Sequence, residues 1–194
     1  MERIAAASAI YFSIPGPKML WQFGELGNDD SINRCTNGSV NDNCRLDPKP
    51  VRWNYFEDER RRGLYDKLSA MLYLRNNYDV FSTRDFTFSD GNFFLKLVHL
   101  NSPDMNVVSM ANFRTINSDL NPKFPYTGTW YEYFTGEVRE VTDTDARITF
   151  EPGEYRIYLS EPVMPPGGFF TSTTDPTISA SSICLLYTSP SPRD

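Results

Sequence analysis

Ile14-Pro15-Gly16-Pro17-Lys18-Met19-Leu20-Trp21-Gln22-Phe23-Gly24-Glu25-Leu26-Gly27 decides how the rest of the chain is read. Before it, Glu2 to Ser13 is alanine-rich and free of breakers, and it predicts a helix. Pro15-Gly16-Pro17 ends that helix, because proline lacks an N–H and disfavours helical backbone at the residue before it. Lys18 to Phe23 is then a short apolar run of strand length between turn residues. Gly24 and a carboxylate, Glu25, stand at its C-terminal end. Helix, turn, buried strand and polar tip read as a piece of an α/β domain, where chemistry gathers at the carboxyl ends of strands.

Residues 28–56 are too polar and irregular for a core element, and a connection of that length is usually functional or tied down. Cys35 and Cys44 bracket Thr-Asn-Gly-Ser-Val-Asn-Asp-Asn. They form a disulfide, two free thiols or, least naturally, part of a metal site, since no second thiol pair or histidine is near. A disulfide would close a small ring worth roughly 2–3 kcal/mol and would place the protein in a periplasm or outside the cell. Asn37-Gly38-Ser39 matches a glycosylation acceptor, a pattern common by chance. Asp47-Pro48-Lys49-Pro50-Val51-Arg52-Trp53 closes the connection in extended conformation.

Glu57 to Tyr78 predicts the clearest helix. Asp58 is placed to cap it, and Leu64, Leu68, Met71, Leu72 and Arg75 recur at helical spacing, with Tyr65 and Leu74 widening the apolar face. From Thr83 to Ser160 the chain reads as short β runs: Thr83–Ser89, Asn92–Asn101, Asn106–Arg114, Gly128–Phe134, Val138–Thr142, Ala146–Glu151 and Glu154–Ser160. Asp90-Gly91-Asn92 signals a hairpin between the first two. About seven such runs indicate an antiparallel sandwich carrying its own core. Trp130 and Phe134 fall on one face of their run, with Tyr131 and Tyr133 on the other, as core aromatics or as a sugar-stacking surface.

The order of these parts resembles the C-terminal portion of the α-amylase family of glycoside hydrolases. Gly16 and Gly24-Glu25 are similar to the family's last barrel strand, which opens on a Gly-x-Pro-like turn and ends in a Gly-Glu tip; here the second proline comes one place early. Met71-Leu72-Tyr73-Leu74-Arg75 resembles the final barrel helix. Asn112-Phe113, Trp130 with Gly136-Glu137, and Pro152-Gly153-Glu154-Tyr155 look like landmarks of the C-terminal domain. The resemblance covers about residues 2–161 and implies a mixed α and β chain: the last helix-strand-helix of a truncated (β/α)8 barrel followed by an antiparallel β-sandwich. It divides the chain into 1–80, 81–161 and a tail, 162–194. The end of that tail, Ser182 to Asp194, resembles translated sequencing-adapter read-through, and Cys184 within it then needs no partner.

As the resemblance implies, the whole enzyme acts on an α-glucan such as starch, glycogen or maltodextrin, through one nucleophilic Asp, one acid/base Glu and one stabilising Asp. Those carboxylates belong to earlier barrel strands, expected upstream of Met1, so no catalytic residue is carried onto this chain. Met1 opens directly into a helix without a capping residue, which agrees with a start farther upstream. Glu25, Arg52 and Trp53 are the candidate substrate-binding residues: Glu25 either holds the barrel rim or does chemistry, and Arg52 and Trp53 either pack the loop end or meet substrate. No cofactor is implied for this portion, although the family leaves room for calcium in the whole enzyme. A free-standing β-sandwich for carbohydrate binding or protein interaction is the alternative.

Composition narrows the partners. The 194 residues are 40% hydrophobic, enough for a core, and carry a net charge of −6. Arg60-Arg61-Arg62 is balanced by Glu57-Asp58-Glu59, so no basic stripe points to nucleic acid. No apolar run is long enough to span a membrane. His99, the single histidine, has no Gly-x-Ser-x-Gly elbow to serve and reads as a half-exposed strand residue. Lys18–Phe23, once unpaired, would be an apolar edge prone to aggregation, which deletion of residues 1–80 should relieve.

Overall fold

A computed structural model describes residues 1–89 and 92–165. Two helices, α1 (Glu2–Ser13) and α2 (Glu59–Asn77), precede eight strands. These are β1 (Phe86–Ser89), β2 (Leu95–Asn101), β3 (Asn106–Asn112), β4 (Ser118–Leu120), β5 (Gly128–Glu132), β6 (Val138–Val141), β7 (Ile148–Phe150) and β8 (Tyr155–Leu159). Six form an antiparallel sheet in the order β1-β2-β3-β8-β5-β6, and β4 pairs with β7 in a second. The expected hairpin turn at Asp90-Gly91 and the tail from 166 onward, with Cys184, lie outside the described residues.

The alanines of α1 do more than favour helix. Ala5, Ala6 and Ala9 are at most 1% exposed. Their short side chains bring the helix backbone down onto β3, close enough for the Ser109 hydroxyl to donate to the Ala9 carbonyl at 3.4 Å. The helix ends at Ile14, which turns extended ahead of Pro15. Its last carbonyls are satisfied from α2: Arg75 donates to Phe12 O at 2.9 Å, to Ile14 O at 3.0 Å, and also to Gly16 O. In α2, the Asp58 carboxylate accepts from the Arg60 and Arg61 amides, and Leu64, Leu68, Met71 and Leu74 are buried.

The two faces of the large sheet bury different cores. One face packs Val98, Leu100, Val107, Ala111, Ile157 and Leu159 under α1 and α2. The other packs Leu97, Val108, Met110, Trp130, Val141 and Tyr158 against Leu120, Phe124, Ile148 and Phe150. A single apolar cluster therefore crosses the expected boundary at residue 80, because the helices supply half of it.

Lys18–Phe23 is not a strand. Residues 17–21 are irregular and lead into a short 3₁₀ turn, Gly24–Leu26. Met19 is 76%, Leu20 44% and Trp21 52% exposed. A strand exists only through its ladder, and among the described residues no strand lies beside this run. The Met19 amide donates instead to the Tyr11 hydroxyl at 3.0 Å.

β4 was hidden in a stretch too short and polar to show a period. The facing of 130–134 also differs from strict alternation, since β5 stops at Glu132. Trp130 enters the inter-sheet core, whereas Tyr133 joins the cluster under the helices and donates its hydroxyl to Ala70 O at 3.0 Å. Phe134 packs against that same cluster, not beside Trp130. His99 is half-exposed on β2, with its ring nitrogens against Thr87 Oγ1 at 3.2 Å and Pro122 O at 2.8 Å.

Two buried polar side chains tie the turns of the sandwich. The Asn112 carboxamide donates to Ile116 O at 3.1 Å, Phe150 O at 3.1 Å and Glu151 O at 3.0 Å, joining the ends of β3 and β7. Glu132, 2% exposed, accepts from the Phe134, Thr135 and Ile157 amides and from the Thr135 hydroxyl. Burial pushes its carboxyl upward against those four bonds, which pull it down.

Candidate functional site

The connection from α1 to α2 carries the sequence-level candidates. Phe23 turns the chain with a left-handed backbone, φ 56°, and buries its ring to 6% exposure. Trp53 stands edge-on to it, ring centroids 5.0 Å apart at 85°, and keeps 60% of its own surface exposed. Trp21 is exposed as well.

The same connection carries a set of paired charges. Arg52 grips Asp30 with two bonds, Nε to Oδ2 at 2.7 Å and a terminal nitrogen to Oδ1 at 2.9 Å. Arg34 reaches the same carboxylate at 3.3 Å. Next along the chain, Asp29 accepts from the Tyr55 hydroxyl and from Arg61 at 2.9 Å. Arg61 also donates to Leu26 O at 3.0 Å and Gly27 O at 2.6 Å, and lies 3.9 Å from the centre of the Tyr55 ring. That guanidinium fastens the 3₁₀ turn to α2.

The three candidates occupy different situations. Arg52 is held by Asp30, and Trp53 reaches Phe23, two residues before Glu25. Glu25 is half-buried, its carboxyl pushed up chiefly by desolvation, and it accepts no hydrogen bond from another described residue's side chain. The structure holds Arg52 in a polar network and Trp53 against Phe23, and gives the Glu25 side chain neither partner. Sequence reading missed Asp29, Asp30, Tyr55 and Arg61. The adjacent acids after Gly27 were the available signal, but apart from Arg34 their partners lie more than twenty residues away.

Cys35 and Cys44 are bonded, with Cα atoms 5.0 Å apart. With Asp47 they form the one group of three potential metal ligands that the described residues bring together. It does not suit calcium, which takes oxygen ligands, and disulfide sulfurs are not thiolates. Asp29 faces the Arg61 cation and Asp30 the Arg52 cation. A cavity of about 280 Å³ beside Glu132, Glu154, Tyr155 and Arg156 is lined by groups that tie turns together. Among the described residues no helix is long and apolar enough to cross a membrane.

The Asp30 contact sets a pH dependence. Hydrogen bonding to Arg52 holds the Asp30 carboxyl below its ordinary value of 3.8. A depressed acid contributes stability that is present above its unfolded value and lost as pH falls through the folded one. The Trp53 environment, followed by indole fluorescence, is therefore expected to hold above about pH 4 and to change below it. In Asp30→Asn the acid-side change should disappear, and an unaltered profile would show that another carboxylate governs it.

No protein-family model and no curated protein matches the chain. Solved structures do. An AmyP variant in complex with maltotriose aligns with 84% of this chain at TM-score 0.64 and 18% identity. The α-amylase of Geobacillus thermoleovorans complexed with acarbose aligns with 84% at 0.58 and 16%. Trehalose-6-phosphate hydrolase of Bacillus licheniformis aligns with 81% at 0.57 and 14%. The chain spans only about a third of these proteins, 35%, 34% and 38% of their lengths respectively. Two helices and an antiparallel β-sandwich in this order are thus the fold found in part of α-amylase-type enzymes.

Proposed function

We propose that this chain is the C-terminal portion of an α-amylase-type glycoside hydrolase acting on α-glucans, and that it is not itself catalytic. The observation that carries the reading is the alignment of helices, connection and sandwich together, over 84% of the chain, with one part of such enzymes. A shared core makes the helices and sheet one unit, which speaks against a free-standing sandwich module. Burial of Trp130 and Tyr133 takes those two rings out of any sugar-stacking surface. In this reading Arg52 and Trp53, of the three candidates Glu25, Arg52 and Trp53, meet glucan through a guanidinium donor and an exposed indole face. The disulfide supports a periplasmic or secreted location.

The test begins with DNA upstream of the Met1 codon. A longer reading frame encoding barrel strands and catalytic carboxylates is expected to hydrolyse soluble starch. The present chain alone is expected to show no turnover above a mock purification. Turnover by the chain alone, or a longer frame without barrel strands, rejects the proposal.

A further inference from the structure

Residues 28–58, between α1 and α2, have no apolar core of their own. From residue 28 to residue 58 only Cys35 is buried. Neither of the two apolar clusters includes any residue of this segment. Apart from the ring contacts of Trp53 with Phe23 and of Phe56 with Tyr65, its order comes from polar contacts and the Cys35–Cys44 bond, and a subset of those contacts leads to Arg52.

Two routes lead from the bond to Arg52. Along the first, the Lys49 ammonium donates to Arg34 O at 3.0 Å and Cys44 O at 2.7 Å. Those carbonyls come within reach of one ammonium because the bond holds Cys35 and Cys44 together, and Lys49 lies three residues before Arg52. Along the second, Arg34 adjoins Cys35 and shares the Asp30 carboxylate with Arg52. The ring itself is braced by Asn33 to Asp42 at 2.7 Å and by the Cys35 amide to Ser39 O at 2.8 Å.

We infer that Asp30 and the Cys35–Cys44 disulfide are positioning elements, which set where Arg52 and Trp53 stand and which reduction releases without unfolding the rest of the protein. The functional consequence rests on reading Arg52 and Trp53 as glucan-facing; the positioning does not. In the reductive step a dithiol attacks the bond, the S–S linkage breaks to two cysteine thiols, and the dithiol closes to a cyclic disulfide. With the ring opened, Lys49 loses the paired carbonyls that fix it, and Arg34 is no longer held beside Asp30. The segment then joins the low-stability parts of the molecule, while the buried helices and sheet keep their protection.

The experiment uses the full chain, oxidised and treated with excess dithiothreitol. It follows amide hydrogen exchange together with the indole proton resonances, assigned through Trp53→Phe and Trp21→Phe. Amides in 33–44 and 49–55 should exchange at least about tenfold faster after reduction. The Trp53 resonance should move, with the buried Trp130 resonance and the α2 amides unchanged. Asp30→Asn should move the Trp53 resonance while the disulfide stays intact, and Asp30→Glu should bring it part of the way back. A Trp53 signal indifferent to both treatments, or a Trp130 signal that moves with it, overturns the inference. No substrate enters the measurement, so its outcome is independent of whatever the longer enzyme hydrolyses.

Discussion

Asn112→Asp is expected to cost about 3–5 kcal/mol, the scale of an uncompensated buried charge, and to leave little folded protein at room temperature. Asn112 is fully buried, and its carboxamide N–H groups face the carbonyls of Ile116, Phe150 and Glu151. Aspartate keeps the shape but replaces the donors with an acceptor, so a negative charge would meet three carbonyl dipoles with no water between. The other end of the side chain would suffer less, since Oδ1 already accepts from the Arg114 amide at 2.9 Å. Asn112→Ala should fall short of this loss, because it leaves carbonyls unpaired at about 1–3 kcal/mol without adding a charge. Urea titration of the three proteins measures the order. An aspartate variant within about 1 kcal/mol of the parent would mean that water reaches these carbonyls.

Residues 81–165 expressed alone are expected to aggregate or to lack a cooperative melt. The cut removes α1 and α2 and bares Val98, Leu100, Val107, Ile157 and Leu159, none more than 1% exposed in the whole chain. At about 1.5–3 kcal/mol for each such side chain, the loss is about 7–15 kcal/mol, as large as the stability of an ordinary domain. The exposed face would also form a contiguous apolar patch of the kind that drives association. This reverses the sequence-level expectation that 83–160 carries its own core and that deleting 1–80 relieves self-association. The inter-sheet core around Trp130 and Phe150 survives the cut, but it is only one of the two that the sheet needs. Sedimentation and circular dichroism of 81–165 decide the matter, and a monomer with a sharp β-type melt would restore the earlier reading.

The landmarks by which the sequence resembles α-amylase-type enzymes proved to be points of folding. Asn112 ties β3 to β7, and Glu132 together with Gly136 closes the turn after β5. Gly153, at φ 79°, makes the turn into β8, with its amide on Asn112 O at 2.9 Å. Buried polar side chains that satisfy several backbone groups at once, and turns that need a left-handed residue, admit few substitutes.

The sequence by itself determined both helices, the Asp58 cap, the break at Pro15 and most of the strand runs. Each depends on residues within a few positions of one another: helical spacing, alternation, a capping oxygen, a proline. Tertiary structure alone decided that the alanines of α1 are a contact surface for β3, and that Lys18–Phe23 has no ladder to join among the described residues. It alone decided that Tyr133 turns under the helices, and that Asp30 holds Arg52 while Glu25 stands apart. Those outcomes pair residues that are distant in the chain, and a local pattern holds no record of which partner will be near. A strand in particular is a property of two segments, so an apolar run of the right length remains only half of one.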